Sequence, residues 1–330
     1  MSKPRRQSAP LTLLLLCSAL AVLIIVWCVY WFLALSQSKH EVARRIEALR
    51  SDGLKIDCTN SRWTGFPFRI HLSCSPLTIE GLGPSAGSKL TVPTVQFVAQ
   101  AYDLRRVIAL ANSALAVGDR SDELLRFTYT KAVAGYTRGE PDELSLYVED
   151  LADGTYFTAG KLNSHFRLER MSPPLTQVAL ASDAVTFMLP NHGRQTLDAV
   201  ALEGTIRWND GPNTVSLLRL RDWSDLAGSS FDLQRVVARS QDIYLEGKGR
   251  LALDSDGQLQ GKLALMIENL DLLLEQLMVT GVLSKDETEA GTSLLSFLGG
   301  ENRRVKLDLK IEHGVVYLGP FKLARIPPLN

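Results

Sequence analysis

With 330 residues, 45% of them hydrophobic and 22% charged, the chain can bury at least one large core, which excludes wholesale disorder. Lys plus Arg and Asp plus Glu number 36 each, so the formal net charge is zero. A neutral chain exerts no global electrostatic attraction on nucleic acid, and no nucleic-acid partner is expected.

An N-terminal transmembrane helix is predicted over residues 11–35. This run of about 25 residues carries no charge and exceeds the roughly 20 residues that cross a bilayer. Aromatic residues crowd its C-terminal end, where rings favour the headgroup level: Trp27, Tyr30, Trp31 and Phe32. A cleaved signal peptide is the alternative, although its apolar region should span only about 7–15 residues.

Flanking charges favour a cytoplasmic N-terminus, with residues 1–10 as a cytoplasmic tail and residues 36–53 as a helical stalk beyond the membrane. Basic residues on both sides enter this balance, the second group weakening the bias: Lys3, Arg5 and Arg6 before the helix, Lys39, Arg44 and Arg45 after it. Residues 54–330 are predicted to form one β-rich domain on the far side.

A disulfide between Cys58 and Cys74 is predicted from an antiparallel hairpin whose turn is centred on Phe66. That register opposes the two cysteines, and also Asn60 to Leu72 and Arg62 to Ile70. Opposed strand residues lie close to disulfide distance, and such a bridge needs an oxidising compartment. Two free buried cysteines, a redox-active pair and a metal site are the alternatives. His71 alternates with the apolar residues and is expected to face outward.

Short β-like runs separated by turn residues follow, without a second apolar segment of membrane length. A strand carrying Thr91, Val95, Phe97 and Ala99 on one face is predicted, with Pro93 at an edge or bulge. Further predicted strands are Leu124 to Tyr136, Leu144 to Glu149, Tyr156 to Leu168, Val178 to Leu189 and Leu197 to Trp208.

The clearest hairpin runs from Ile243 to Ile267 around a three-residue turn, Ser255-Asp256-Gly257. Centring it on Asp256 produces three apolar pairs of one glycine and one leucine: Leu251 with Gly261, Gly249 with Leu263, and Gly247 with Leu265. Together with Leu245 these residues predict a shallow apolar trough. Because exposed apolar surface costs roughly 25 cal/mol per Å², something should fill it. The protein's own helices, a hydrophobic ligand such as an acyl chain, and a partner protein are the three alternatives.

A helix that packs over the sheet is predicted after Asn269, which is placed as its N-cap. Its apolar stripe comprises Leu270, Leu273, Leu274, Leu277 and Met278. A second short helix is predicted from Glu287 to Leu298. A strand from Val305 to Ile311 then turns at His313-Gly314 and returns through Val315 to Leu318.

No stretch of the sequence indicates catalysis, a metal or a cofactor. The five histidines are widely spaced, without a second His or Cys at metal-ligand spacing. Phosphate-binding, dinucleotide-binding and nucleophile-elbow motifs are missing from the sequence. No catalytic residues, metal ligands or cofactors are therefore assigned, and the protein is predicted not to be an enzyme.

The segment from Cys58 to Cys74 resembles the alphaproteobacterial family known only as domain of unknown function 2125. The residues that carry the resemblance are Cys58, Trp63, Gly65, Phe66, Pro67, Phe68, Arg69, Ile70, Leu72 and Cys74, supported by Leu318-Gly319-Pro320 and the final prolines. The resemblance implies a Gram-negative inner-membrane protein with a periplasmic domain, and it implies no activity. The hairpin-and-helix passage also resembles AsmA and TamB envelope proteins, although this chain is far shorter than a bridge across the periplasm.

The expected fold is mainly β (α+β): a long curved antiparallel sheet with a few packing helices, preceded by one transmembrane helix. The expected function is non-enzymatic binding of lipid or another envelope component on the apolar sheet face, with the inner membrane as a partner. The alternatives are a structural or assembly factor that recruits an envelope protein, and a hydrolase of an envelope polymer, which requires a carboxylate pair that the sequence does not locate.

Overall fold

A helix of 43 residues, α1 (Ala9–Ser51), opens the structure, a computed structural model that describes residues 9–51, 53–81, 89–117, 124–137, 140–153, 157–169, 174–189, 193–208, 227–279 and 304–326. From Leu13 onward α1 is long and apolar enough to cross a membrane. Its leucine, isoleucine and valine side chains up to Leu33 are largely exposed, which suits a helix surrounded by lipid.

The end of α1 is closed by a glycine cap. Gly53 has φ of 90° and its N–H donates to the Arg50 carbonyl oxygen at 2.9 Å, while the N–H of Leu54 donates to the Leu49 carbonyl oxygen at 3.0 Å. Leu54 is buried, so an apolar contact accompanies the cap. The predicted membrane helix and stalk therefore form one uninterrupted helix.

A 20-stranded antiparallel sheet makes up the rest of the described chain, and the sheet does not close on itself. Its strands are β1 (Lys55–Cys58), β2 (Arg62–Thr64), β3 (Arg69–Cys74), β4 (Leu77–Glu80), β5 (Lys89–Val92), β6 (Val95–Gln100), β7 (Asp103–Ala111), β8 (Ala114–Val117), β9 (Leu124–Phe127), β10 (Tyr129–Thr137), β11 (Glu140–Asp153), β12 (Phe157–Glu169), β13 (Leu175–Leu189), β14 (Gly193–Arg207), β15 (Ser230–Ser240), β16 (Ile243–Leu253), β17 (Leu259–Glu268), β18 (Arg304–Glu312), β19 (Val315–Leu318) and β20 (Phe321–Arg325). A short helix, α2 (Leu270–Val279), follows β17. The mainly β fold with a large antiparallel sheet confirms the predicted fold class.

When each broken strand is counted as one long strand, the strands pair in the order in which they occur, so the sheet is a meander. The first five long strands are each broken once, into β1/β2, β3/β4, β5/β6, β7/β8 and β9/β10. One half of each pairs as β2–β3–β6–β7–β10 and the other as β1–β4–β5–β8–β9, and both series join β11. Residues poorly suited to a ladder lie at the breaks, such as Asn60 with φ of 48°, Pro76 and Pro93. The predicted strand from Leu124 to Tyr136 is accordingly two strands, divided at Thr128.

The disulfide between Cys58 and Cys74 is present, with Cα atoms 5.1 Å apart, which confirms the predicted pairing. The predicted hairpin register is wrong. Arg62 opposes Ser73 instead of Ile70, and Cys58 lies on β1, opposite Leu77 of β4. Because the chain breaks between β1 and β2, Cys58 and Cys74 lie in different series of half-strands. The bridge therefore joins β1 to β3 across the bend, and does not join opposed residues of one hairpin.

A buried core fills the space where the bent strands meet. Its residues come from both series: Leu72, Cys74, Val95 and Ala111 from one, Leu77 and Val92 from the other, with Val42 of α1 and Trp63 packed against them. The disulfide lies inside this core, since Cys74 is 1% exposed. The bridge thus fixes the first part of the sheet next to the helix.

The C-terminal part follows the predicted hairpins. The β16–β17 register opposes Leu251 to Gly261, Gly249 to Leu263 and Gly247 to Leu265, as the sequence predicts. α2 begins directly after Asn269, whose side-chain nitrogen donates to the Asp242 carbonyl oxygen and ties the helix start to the β15–β16 turn. The helix predicted from Glu287 to Leu298 lies outside the described residues.

Candidate functional site

One face of the sheet is apolar across nearly its whole width. Opposed residues of neighbouring strands share a face, so each chain of cross-strand partners traces one row over the sheet. A first row runs Ile70, Ala99, Val107, Ala134, Leu144, Phe166, Val178, Gly204, Leu233, Gly249, Leu263 and Leu309. Every residue in it is apolar, from β3 to β18.

Two further rows flank the first on the same face. The second runs Trp63, Leu72, Phe97, Ala109, Ala132, Leu146, Ser164, Leu180, Leu202, Val236, Gly247, Leu265 and Leu307. The third runs Cys74, Val95, Ala111, Thr130, Val148, Leu162, Ser182, Val200, Ala238, Leu245, Ile267 and Val305. Three hydroxyl side chains interrupt them, and no charged residue does. We call these three rows the apolar face.

Side chains of the apolar face are shielded from solvent to different degrees, and some of them keep exposed surface. Every residue of the three rows is buried or half-buried. Towards the middle of the sheet, Leu146, Phe166, Leu180 and Leu202 are half-buried, so each retains apolar area that a further group can cover.

All seven predicted trough residues lie on this face of the sheet, but the glycines leave less room than the pattern suggests. A methyl group built on Gly247 would lie 2.6 Å from Cδ2 of Leu265, so the leucine already leans over the glycine. One built on Gly249 would meet the Lys262 carbonyl oxygen and lie 2.9 Å from Cα of Leu263. Gly249 thus permits the close approach of the β16 and β17 backbones, whereas at Gly247 the space is occupied by the Leu265 side chain.

The end of the trough at Leu245 is covered by the protein itself. Leu270 of α2 is buried in one cluster with Ile267, Val305 and Leu307. Leu245, Leu265 and Leu273 pack against that cluster. The predicted packing of this helix over the sheet is therefore present at one end of the apolar face.

The opposite face of the sheet carries the ion pairs of the long strands, interspersed with apolar side chains such as Ile108, Val133 and Val237. Arg235 lies 3.3 Å from Glu246 and 3.8 Å from Glu203, and Arg304 lies 2.8 Å from Glu268. These pairs are largely exposed and each contributes little to stability. Charged side chains therefore occur on this face and are missing from the three rows of the apolar face.

A depression of about 390 Å³ lies over β10 to β14 and includes Ser145 and His165 among its lining residues. The Ser145 hydroxyl and Nδ1 of His165 are 2.8 Å apart. A nucleophile with a base also needs a third group to orient the base, and among the described residues no carboxylate bonds to His165. Nearby, a hydrogen bond from the Tyr147 hydroxyl to Glu149 raises the pKa of Tyr147 to about 12, because it stabilises the protonated phenol.

Three aromatic side chains of α1 join the helix to the start of the sheet. The indole nitrogen of Trp27 donates to the Pro67 carbonyl oxygen at 3.0 Å, and that of Trp31 donates to the Arg69 carbonyl oxygen at 3.0 Å. The Tyr30 hydroxyl donates to the Ala101 carbonyl oxygen at 2.9 Å. Spacing of three and four residues places these donors on one side of the helix.

Ring contacts reinforce the junction between α1 and the loop from β2 to β3. Phe66 meets Trp31 edge-on at a centroid distance of 5.3 Å and stacks on Phe32 at 6.4 Å. Phe68 approaches Trp27 at 5.8 Å. Aromatic pairs in such geometries contribute about 0.5–1.5 kcal/mol beyond the burial of their surface.

The apolar face begins at this junction. Ile70, where the first row starts, is buried in one cluster with Trp31, Ala34 and Ala101. Trp63, where the second row starts, packs against both this cluster and the disulfide-containing core. A continuous apolar surface therefore leads from the middle of α1, at Trp31 and Ala34, onto the sheet.

His71 does lie on the face opposite Ile70 and Leu72, as its alternation predicts. Its Nε2 atom is nevertheless buried without a hydrogen-bond partner in the described part of the chain. Within those same residues, no group of three or more His, Cys, Asp or Glu side chains could hold a metal ion.

Sequence reasoning missed the docking of the hairpin loop on α1. It placed Trp27, Tyr30 and Trp31 at the headgroup level and Phe66 and Phe68 near a turn, but it did not connect the two groups. The available signal was the helical spacing of the three aromatic donors, which marks one side of α1 for contact with protein.

The family described as an uncharacterized protein conserved in bacteria, domain of unknown function 2125, matches residues 31–327. No curated protein and no solved structure matches the chain. The resemblance to AsmA and TamB proteins thus stays a prediction. Because the match spans most of the chain, including the hairpin and its disulfide, this protein belongs to the family of domain of unknown function 2125.

Proposed function

We propose that this protein is a membrane-anchored, non-enzymatic protein of the bacterial cell envelope that binds a lipid acyl chain on the apolar face of its sheet. The observation that carries the proposal is the set of three charge-free rows extending from β3 to β18. A protein in water keeps such a surface only if something apolar covers it.

The position at which the apolar face begins indicates what kind of molecule covers it. Its first row starts at Ile70, which packs on Trp31 and Ala34 of the membrane helix. An acyl chain leaving the bilayer beside α1 would meet apolar side chains from the first strand onward. A lipid therefore fits this surface better than a water-borne ligand, which would have no reason to enter at the membrane.

The proposed topology places the N-terminus in the cytoplasm and the sheet in the periplasm, with α1 as a retained inner-membrane anchor. The Cys58–Cys74 disulfide supports this arrangement, since such bonds persist in oxidising compartments. The basic residues Lys3, Arg5 and Arg6 before the helix support it as well.

A photo-crosslinking residue placed on each face of one strand tests the proposal. Leu180 and Leu202 lie on the apolar face, and their chain neighbours Ala181 and Glu203 lie on the opposite face. With the full-length protein in native membranes, we expect lipid adducts at Leu180 and Leu202, detected by mass spectrometry, and none at Ala181 and Glu203.

Two results would overturn lipid binding. Equal lipid labelling on both faces would show that the crosslinker samples bulk lipid instead of a site. A dominant protein adduct at Leu180 and Leu202 would instead support the alternative of an assembly factor whose apolar face is covered by an envelope protein.

A further inference from the structure

A cluster of exposed aromatic residues surrounds the junction of α1 with the sheet. Phe66 is 53% exposed, Phe68 is 61% exposed and Tyr102 is 63% exposed. Outside α1, the other large hydrophobic side chains exposed in the described residues are Leu272 and Leu323. Three exposed rings at one place are costly in water, because each presents apolar area that water solvates poorly.

The position of the cluster along the helix identifies what covers it. Trp27, whose indole bonds to Pro67 and whose ring contacts Phe68, lies eight residues before Leu35, the end of the predicted transmembrane segment. At 1.5 Å per residue, that is about 12 Å along the helix axis. The loop from β2 to β3 therefore reaches back along a part of α1 that has the composition of a membrane span.

Hydrogen bonding at this site suits a region of low water content. The carbonyl oxygens of Pro67, Arg69 and Ala101 each accept a bond from an α1 side chain, so the loop brings satisfied backbone groups to the membrane helix. Unsatisfied backbone groups are what keep irregular chain out of a bilayer.

The residue types at this junction also favour contact with the membrane interface. Aromatic rings are favoured at the boundary between headgroups and acyl chains, and the exposed Arg69 directly after Phe68 can extend towards lipid phosphates. Phe66 and Phe68 contact α1 at two different rings, Phe32 and Trp27 respectively. The loop and α1 together form one wedge with aromatic surfaces.

We propose that Phe66, Phe68 and Tyr102 are inserted into the membrane that α1 crosses, at the interface facing the sheet, and form a second membrane contact of this protein. The sheet is then held at a fixed depth and orientation, with its first strands at the lipid surface. This proposal requires the membrane anchor of the proposed function, and it does not require lipid on the apolar face.

The test uses full-length protein in vesicles of phosphatidylethanolamine and phosphatidylglycerol, with Cys17 and Cys28 replaced by serine and the disulfide intact. An environment-sensitive fluorophore is attached to a single introduced cysteine, either Tyr102→Cys or, as the matched control, Ser255→Cys in the exposed β16–β17 turn. We expect blue-shifted emission at position 102 that spin-labelled lipids quench, and aqueous emission at position 255 that they do not.

A fluorophore at Phe68→Cys gives a second measurement of the same environment. Because this substitution also removes the ring contact with Trp27, the folding of the variant is checked separately. A cooperative unfolding transition at the wild-type temperature shows that each variant is folded, and non-reducing mass spectrometry shows that the Cys58–Cys74 link is intact. Aqueous emission at position 102 in folded protein would overturn the proposal. Emission shielded from both lipid quencher and aqueous iodide would also overturn it, by showing that a protein covers the cluster.

Discussion

The indole nitrogen of Trp31 donates a 3.0 Å hydrogen bond to the carbonyl oxygen of Arg69, 38 residues further along the chain. Trp31 is 5% exposed and lies in a cluster with Ile70, at the beginning of β3. The N-terminal helix α1 is therefore packed against the folded domain and is not a free tether. Substitutions at Trp31 should therefore change the stability of the domain.

We expect Trp31→Phe to lower the free energy of unfolding by about 0.5–1.5 kcal/mol, because the ring is kept and one hydrogen bond is lost. Trp31→Ala should cost more, about 3–5 kcal/mol, since it leaves a cavity. Thermal unfolding of the full chain in detergent micelles measures both. Leu33→Ala is the matched control, because Leu33 is 65% exposed on the same helix. Equal stability of Trp31→Ala and Leu33→Ala would contradict a packed junction.

Removing the disulfide should destabilise the first strands. The bridge closes a loop with a sequence separation of 16, which in the chain-entropy model corresponds to about 3 kcal/mol. We expect Cys58→Ser to lower the midpoint of chemical unfolding and to leave Cys74 as a buried free thiol. Cys17→Ser, at an exposed position of α1, is the control. If reducing agent has no effect on unfolding of the wild-type protein, the bridge contributes nothing to stability.

The sequence predicts local pairing well where a short turn sets the register. The turn at Ser255 to Gly257 determines every partner in β16 and β17, so the Gly247–Leu265 pair is correct. The hairpin at Phe66 is different, because the chain breaks at Asn60 and at Pro76, and β1 then pairs with β4. A constant-sum register assumes two unbroken strands, which the sequence alone does not guarantee.

The apolar face was beyond sequence reasoning for a related reason. Each row depends on the register of more than ten successive strand pairings, and bulges shift that register, for example between Leu233 and Val236. Alternation within a strand shows that one face is apolar, but it does not show that the apolar faces of β3 and β18 are continuous. Docking of Phe68 on Trp27 is likewise a long-range contact: the spacing of the aromatic donors marks one side of α1 for contact, but it does not identify Phe68 as the partner.

The two glycines of β16 should differ in tolerance. A methyl group at Gly249 would meet backbone atoms of β17, which cannot move without breaking the ladder, whereas at Gly247 it meets the mobile end of the Leu265 side chain. We expect Gly249→Ala to destabilise the protein by about 1–3 kcal/mol, through overpacking. Gly247→Ala should cost less. Chemical unfolding of the two variants side by side measures the difference, and equal costs would refute the close backbone approach.

The turn between β16 and β17 should make stability depend on pH in the acid range. The N–H of Gln258 donates to the Asp254 carboxylate at 2.8 Å and lowers its pKa below the ordinary value of 3.8; the N–H of Asp256 and the ring of His313 lower it further. A carboxyl whose folded-state pKa is depressed stabilises the fold above its unfolded pKa. That stabilisation is present above about pH 3.8 and is lost as the pH falls through the folded-state pKa.

We therefore expect Asp254→Asn to flatten the acid limb of a plot of unfolding midpoint against pH. Asp256→Asn, in the same turn and exposed, should leave the acid limb unchanged, and an identical change in both variants would mean that the carboxylate of Asp254 is not the group responsible.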